Sequence, residues 1–366
     1  MKIVFSGGHH NAALEVAKNI KISRPEIKII WYGHKHTTLS DNSLSAEYKE
    51  VTSAGITFRN INAGKVYKTY NIKHWIRLPL GFFQSLWYLM KDRPCLIVSF
   101  GGYLAVPIVL AGRLQGIPSV THEQTCVAGL ANRFIAKFAK KVFITWPNSE
   151  VYFNKKKTII TGLPLRTAIF SANPKEFAFD NSLPTIYVTG GKQGSHVINM
   201  AVKDALPQII KIANVIHQTG SSTEYNDFQA LEEVRGSLAQ DLKKRYILRQ
   251  YVFEDEIGSV FSKADIIVSR SGAHMIYELI ALKKPALLIP IPWSSHNEQY
   301  KNAEMLKREG GADILEQTNL SSSTLYEYLT KMIGQAGKYK SSAEKNTKII
   351  KLDALDIITR EILKLV

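Results

Sequence analysis

Short apolar runs that end in a glycine turn and open into a helix recur along this 366-residue chain. Lys2–Phe5 leads through Ser6-Gly7-Gly8-His9 into a helical stretch over His10–Ile20, and Cys95–Phe100 ends in Gly101-Gly102-Tyr103. Ile186–Thr189 enters the turn Gly190-Gly191-Lys192-Gln193-Gly194-Ser195 before the helical Val197–Leu206, and Ile266–Ser269 runs through Ser271-Gly272 into an amphipathic helix. Runs this short and this continuously apolar fit strands buried on both faces, the hallmark of parallel sheets with helical crossovers. Such sheets bind ligands at the carboxyl ends of their strands. The pattern pauses in the poorly periodic Ala168–Leu183 and resumes at Thr185. It predicts an α/β chain of two Rossmann-like, doubly wound parallel-sheet domains facing a cleft. Residues 1–163 form the first, residues 164–340 the second, and residues 341–366 a final helix packing back across both.

The stretch Ser269–Glu278 carries the sharpest chemistry. Unpaired amides and the positive end of a helix dipole at Ser271–Ile276 suit an anion, and a carboxylate at Glu278, a turn or two along, suits a pair of ribose hydroxyls. Lys192, in a glycine turn at a helix start, reads as a phosphate contact. The spacing around it is too short for a Walker loop, and the turn after Phe5 lacks a full GxGxxG. His122 and Glu123 close a strand at the ligand edge. Two cysteines, Cys95 and Cys126, give neither a disulfide framework nor metal-ligand spacing, which points to a reducing compartment; helix N-termini at Ser271–Ile276 and Gly191–Ser195, with Arg166 and Lys192, can meet an anion themselves, so no metal and no cofactor is predicted. The first apolar run is too short for a signal peptide, and no run reaches the length of a membrane span, which predicts a cytoplasmic protein.

Charge narrows the partners. Residues 1–160 hold 22 Lys and Arg against 8 Asp and Glu, whereas the remainder holds 25 against 23. A basic first half attracts nucleic acid, an anionic membrane or phosphorylated substrates. Between Gly64 and Lys91, Lys65, Lys68, Lys73 and Arg77 interleave with Tyr67, Tyr70, Trp75, Phe82 and Phe83. That mixture suits the headgroup layer of an anionic inner-membrane surface, and residues 64–83 are read so; over residues 84–90, helical spacing favours a core helix. The basic residues sit on no recognised base-reading fold, so nucleic acid is not predicted.

Eight segments, GGHHNAALEVA at Gly7–Ala17, GGYLAVP at Gly101–Pro107, HEQTCVAGLANR at His122–Arg133, TGLPLR at Thr161–Arg166, GGKQGS at Gly190–Ser195, HQTG at His217–Gly220, SRSGAHMIYEL at Ser269–Leu279 and HNEQYKNA at His296–Ala303, together resemble the MurG family of N-acetylglucosaminyltransferases. They run in family order from the first strand to about residue 320. The resemblance implies the GT-B fold and inverting transfer of N-acetylglucosamine from UDP-N-acetylglucosamine to a lipid-linked pyrophosphoryl muramyl-peptide. That step converts lipid I to lipid II in peptidoglycan synthesis, at the cytoplasmic face of the cell membrane. It implies donor contacts at Arg166, Lys192, Gln193, Phe253, Glu254, Ala273, His274, Met275, Ile276, Glu278, Glu298 and Gln299. Acceptor contacts are implied at Ser6, Gly7, Gly8, Gly101, Gly102, Tyr103 and Thr125, with His9 as first and Glu123 as second candidate for the general base. Three departures stand out: a shortened first loop with Ala12 for proline, Thr125 in place of asparagine, and Lys192 in place of serine. Two alternatives stay open, a related UDP-sugar transferase with another lipid-linked or glycolipid acceptor, and a non-catalytic nucleotide-sugar-binding subunit.

Overall fold

A computed structural model describes residues 1–36, 44–64, 72–173, 175–222, 224–294, 297–345 and 350–366, with the side chains of 72–78 left aside. The chain divides into two compact units, Met1–Arg166 with Lys351–Val366, and Thr167–Ile350. The first is built on seven parallel strands: β1 (Lys2–Ser6), β2 (Lys28–Gly33), β3 (Thr57–Asn60), β4 (Leu96–Ser99), β5 (Ser119–Glu123), β6 (Lys141–Ile144) and β7 (Thr158–Ile160). Their order is β3-β2-β1-β4-β5-β6-β7, so the winding reverses between β1 and β4. Ile3, Val4 and Phe5 are fully buried, as are Leu96 and Ile97 opposite them, which is why these runs lack a polar alternation.

The second unit has six parallel strands: β8 (Thr185–Thr189), β9 (Asn214–Gln218), β10 (Tyr246–Arg249), β11 (Ile266–Ser269), β12 (Ala286–Leu288) and β13 (Ala312–Ile314). The order β10-β9-β8-β11-β12-β13 reverses between β8 and β11. Its core joins Ile186, Val188, Val215 and Val268 to the inner face of helix His196–Ile212 and to Leu325, Leu329 and Met332 of helix Ser322–Gly334. Two doubly wound parallel sheets are the architecture that the strand pattern predicts.

Several local readings change. Residues 34–50, whose polar sequence reads as loop, contain the start of helix Ala46–Ser53, because the Ser45 side chain caps it by accepting from the Tyr48 amide. Glu47 adds a tertiary anchor by accepting from Trp31 Nε1 at 2.7 Å and the His34 amide at 3.2 Å. Instead of one helix over 341–366 there are two, Ala336–Lys345 and Ala354–Leu363. Tyr339 ties the former to the second unit by donating to Asp313, while Asn19 donates to Thr359 and Lys141 pairs with Glu361 to hold the latter in the first.

Helix Ile72–Asp92 contains Pro79. Ser85 and Leu89 are buried on it, while Leu80, Phe83, Trp87 and Met90 are exposed. Residues 84–90 are thus not wholly core, because a 3.6-residue repeat turns Trp87 and Met90 outward along the line of Leu80 and Phe83. The membrane reading of Lys65, Lys68, Tyr67 and Tyr70 lies outside the described residues, and the side chains of Lys73, Trp75 and Arg77 are likewise not described.

The C-terminal end of this helix is fixed by Asp92, which accepts from Tyr32 Oη at 2.8 Å and Arg59 Nη2 at 3.0 Å. Burial and the adjacent carboxylate push the Tyr32 hydroxyl well above its ordinary pKa, so it stays a donor. Asp92→Ala strands a buried hydroxyl and a guanidinium and is expected to destabilise the first unit by about 1–3 kcal/mol. Urea unfolding followed by tryptophan fluorescence measures this, with Asp92→Asn expected to lose less.

Candidate active site

In the first unit the turns after β1 and β4 meet at the point where strand order reverses. The Gly8 amide donates to Gly101 O at 2.9 Å. A Cβ on Gly7, whose φ is +144°, would lie 2.7 Å from the Phe100 backbone, and one on Gly102, at φ +80°, would lie 2.9 Å from Gly8 N. Only glycine lets the two turns approach this closely. Ser6 is fully buried beneath them and Tyr103 stands 40% exposed, its hydroxyl 3.0 Å from His34 Nε2.

His9 occupies the N-cap position of helix His10–Ser23 but makes no side-chain cap. Its Nδ1 lies 2.7 Å from the Gln124 side-chain amide, on the loop after β5. Burial, with a smaller contribution from His10, lowers its pKa from 6.5 to about 4. The ring is therefore neutral near pH 7 and is not a fixed cation for a phosphate.

Glu123 is engaged differently. Its carboxylate accepts from the Thr125 amide at 3.0 Å, Thr125 Oγ1 at 2.7 Å, the Gly129 amide at 3.0 Å and Asn132 Nδ2 at 3.0 Å. Four donors fold the 124–129 loop around a 2% exposed carboxylate and brace the start of helix Leu130–Phe138. Such commitment counts against proton transfer by Glu123. Thr125 is committed too, its hydroxyl lying between Glu123 and Val127 O. Asn132 also receives Thr121 Oγ1 and donates to His122 O, and a Cβ on Gly101 would lie 2.5 Å from its Nδ2. One asparagine thus fixes the end of β5 and packs closely against the β4 turn at Gly101.

In the second unit a similar close contact joins the turns after the neighbouring strands β8 and β9, one strand away from the reversal at β8 and β11. A Cβ on Gly194 (φ +86°) would fall 1.9 Å from Thr219 O, and one on Gly220 (φ +97°) would fall 2.1 Å from Gly194 N. The Ser221 amide donates to Lys192 O and that of Ser222 to Gln193 O, closing the contact. Helix His196–Ile212 then starts with no side-chain cap from Ser195, whose hydroxyl instead accepts from Arg270 Nη2 at 2.8 Å. Helix Ala273–Ala281 likewise starts uncapped at Gly272, where an added Cβ would meet nothing within 4 Å. Amides of two helix N-termini are thereby left for an anion.

The predicted donor residues fall as follows. Lys192 and Gln193 form the turn after β8, and Arg166 is the last residue of the first unit. Ala273 and Ile276 bury their side chains, His274 and Met275 are half-buried, and Glu278 is 2% exposed on the same helix. Any ligand contact at Ala273 and Ile276 therefore runs through backbone. Glu298 and Gln299 open helix Glu298–Arg308; Gln299 accepts from the Ile291 amide, leaving its own amide nitrogen as a ligand donor, while His296 lies outside the described residues. Phe253, in the loop after β10, is exposed, and its amide already donates to Glu256. Among the described residues no group of His, Cys, Asp and Glu is placed to hold a metal ion.

Residues 6–144 match the glycosyltransferase family 28 N-terminal domain and residues 185–358 its C-terminal domain. The UDP-N-acetylglucosamine–N-acetylmuramyl-(pentapeptide) pyrophosphoryl-undecaprenol N-acetylglucosamine transferase of Clostridium novyi is 31% identical, over 97% of each chain. The chain belongs to this transferase family. The enzyme of the same name from Desulfitobacterium hafniense is 30% identical, over 96% of this chain and 95% of its own. In fold, Acinetobacter baumannii MurG aligns with a TM-score of 0.72 at 23% identity, covering 99% of both chains. Staphylococcus aureus MnaA, solved with UDP, aligns at 0.68 and 12% identity, covering all of this chain and 97% of its own.

Two residues that the sequence reading left unassigned, Arg270 and Asn199, hold the second unit's turns. Arg270, just after β11, donates to Ile289 O at 3.0 Å, Ser195 Oγ at 2.8 Å and Gln317 Oε1 at 2.7 Å, tying its own strand end to those of β12, β8 and β13. Burial lowers its pKa from 12.5 to about 10, so it remains charged. Asn199 donates to Thr219 O and Asp227 and faces His217, which also meets Tyr246. A charge ending an apolar strand was a readable signal for Arg270; an asparagine inside a helix gave none.

Two predictions follow from this geometry. Arg270→Lys loses the fork that reaches several acceptors at once and is expected to weaken UDP binding about tenfold by calorimetry. His122 and His217 are buried neutral, their pKa values lowered from 6.5 to about 4 and about 3 by burial. The unfolded chain therefore binds more protons as pH falls from about 6.5 to about 4 for His122 and to about 3 for His217. Stability is complete above that window and is lost as pH falls through it, by roughly 1–3 kcal/mol per ring. A falling Tm over this range, flatter in His122→Asn, is the expected calorimetric result.

Proposed function

We propose that the chain transfers N-acetylglucosamine from UDP-N-acetylglucosamine to the lipid-linked pyrophosphoryl muramyl-peptide acceptor of peptidoglycan synthesis, as a peripheral enzyme at the cytoplasmic face of the cell membrane. Near full-length identity of 31% with a transferase of that name carries the reading. The chemistry at the two strand-end sites supports it. In the second unit the uncapped starts of helices His196–Ile212 and Ala273–Ala281 hold the diphosphate with Lys192, and Glu278 takes the ribose hydroxyls. Gln299 meets the sugar through its amide nitrogen. The turns at Gly7–Gly8 and Gly101–Tyr103 receive the acceptor.

His9 is the general base in this reading. The acceptor hydroxyl gives its proton to the imidazole as its oxygen bonds to the anomeric carbon. The bond from that carbon to the diphosphate oxygen breaks, its electron pair leaving with UDP, and configuration inverts. Charge grows on the diphosphate, where preorganised amides and Lys192 lower the barrier. The exposed line Leu80, Phe83, Trp87 and Met90, with Lys91 Nζ 5.3 Å from the Trp87 ring centre, supports contact with lipid. Among the described residues no helix is long and apolar enough to cross a membrane.

Labelled UDP-N-acetylglucosamine with lipid I or a soluble analogue should give a lipid II-like product, and hydrolysis or UDP binding without transfer would reject the assignment. Glu278→Ala is expected to raise the donor KM about tenfold or more, the loss of a charged hydrogen bond. Phe83→Glu with Trp87→Glu should lower cosedimentation with anionic vesicles at least about tenfold while leaving UDP binding intact.

A further inference from the structure

Gln124 is 5% exposed, and its Oε1 is buried without a hydrogen-bond partner while its Nε2 lies 2.7 Å from His9 Nδ1. The loop that carries it is held by the four donors to Glu123, and the turn that carries His9 by the contact of Gly8 with Gly101. The two side chains therefore face each other from rigid supports on the β1 and β5 ends. A glutamine amide presents nitrogen or oxygen with the same shape, and the two orientations give His9 opposite tautomers. With nitrogen toward the ring, Nδ1 must accept, Nε2 carries the proton, and His9 cannot take another there. With oxygen toward the ring, Nδ1 carries the proton and Nε2 is open. Either orientation leaves one end of the amide without a protein partner, so the task of His9 decides between them. An imidazole that gains a proton becomes a donor at both nitrogens. It would confront the amide nitrogen donor to donor, whereas the orphaned oxygen stabilises it.

We infer that Gln124 is a positioning residue that holds His9 in the Nδ1–H tautomer by turning its side-chain oxygen to the ring, leaving Nε2 open for the acceptor's proton. The inference rests on His9 being the base and adds the group that makes it one. Neutral His9 needs this help, since burial and neighbouring His10 both oppose the cation. Carboxylate and carbonyl oxygens set histidine tautomers at catalytic and metal-binding sites by the same logic.

Nitrogen-15 spectra of selectively histidine-labelled protein, with His9 assigned by its loss in His9→Ala, read the tautomer directly. The expected result is a protonated Nδ1 and an unprotonated Nε2 in the wild type at neutral pH. Gln124→Met should abolish that preference and lower kcat about 100-fold at unchanged UDP-N-acetylglucosamine KM, the usual scale of general-base loss. Gln124→Glu, an obligate acceptor, should restore the tautomer and bring kcat back to within about tenfold of wild type. An unprotonated Nδ1 in active wild-type enzyme, or a tautomer unmoved in Gln124→Met, would overturn the role of Gln124 alone. Full turnover by His9→Ala would instead overturn the base reading, and with it the purpose of the pair.

Discussion

Close approach of backbone to backbone between the turns after β1 and β4 in the first unit, and after β8 and β9 in the second, is the constraint on which the rest of the molecule depends. Gly8 bonds to Gly101 in the first unit, and Gly194 and Gly220 interlock in the second with no room for a Cβ. The β1/β4 contact lies where strand order reverses, and there neighbouring crossovers leave on opposite faces and open a crevice. In both units, bringing turns together fixes where the following helix begins. The uncapped amides of His196–Ile212 and the placement of His9 at the head of its helix both follow from it.

Buried polar side chains then make the turns rigid. Glu123 collects four donors, Asn132 fixes the end of β5, and Arg270 joins its own strand end to three others. A buried charge left without such partners is costly, so each loop is held in the one conformation that satisfies its charge. A carboxylate in a conspicuous motif need not be chemical: the donors around Glu123 serve the loop, while the less conspicuous Gln124 beside it faces the histidine.

Strands and glycine turns were legible because burial on both faces leaves a continuous apolar run, and because φ near +86° at Gly194 admits little else. Helix Ala46–Ser53 was not, since at eight residues it depends on the Ser45 cap and on Glu47 reaching Trp31 across 16 positions. The break between helices Ala336–Lys345 and Ala354–Leu363 was hidden for a related reason. Both segments are amphipathic, and only their partners, Asp313 for one and Asn19 and Lys141 for the other, assign them to different units. Within the site, motif positions were readable, but the direction in which each side chain points was not. Thr125 and Glu123 turn to each other, and Arg270 turns toward Ser195 and Gln317.

The two strand-end sites differ in electrostatic design, and the difference matches the charge that a glycosyl transfer creates. The first presents a neutral histidine whose proton affinity is depressed, beside a carboxylate already shared among donors. The second presents two uncapped helix starts, the Lys192 turn and a buried, charged Arg270. A diphosphate gains negative charge as it leaves, so permanent positive potential belongs around it and costs no reorganisation at the moment of reaction. A base must gain and then lose a proton, so a fixed cation beside it would hinder the first step and a free carboxylate the second. Lys91, one of the 22 basic residues that outnumber 8 acidic ones in the first 160, instead lies over the Trp87 ring on the exposed apolar line of helix Ile72–Asp92, a place that calls for no proton transfer.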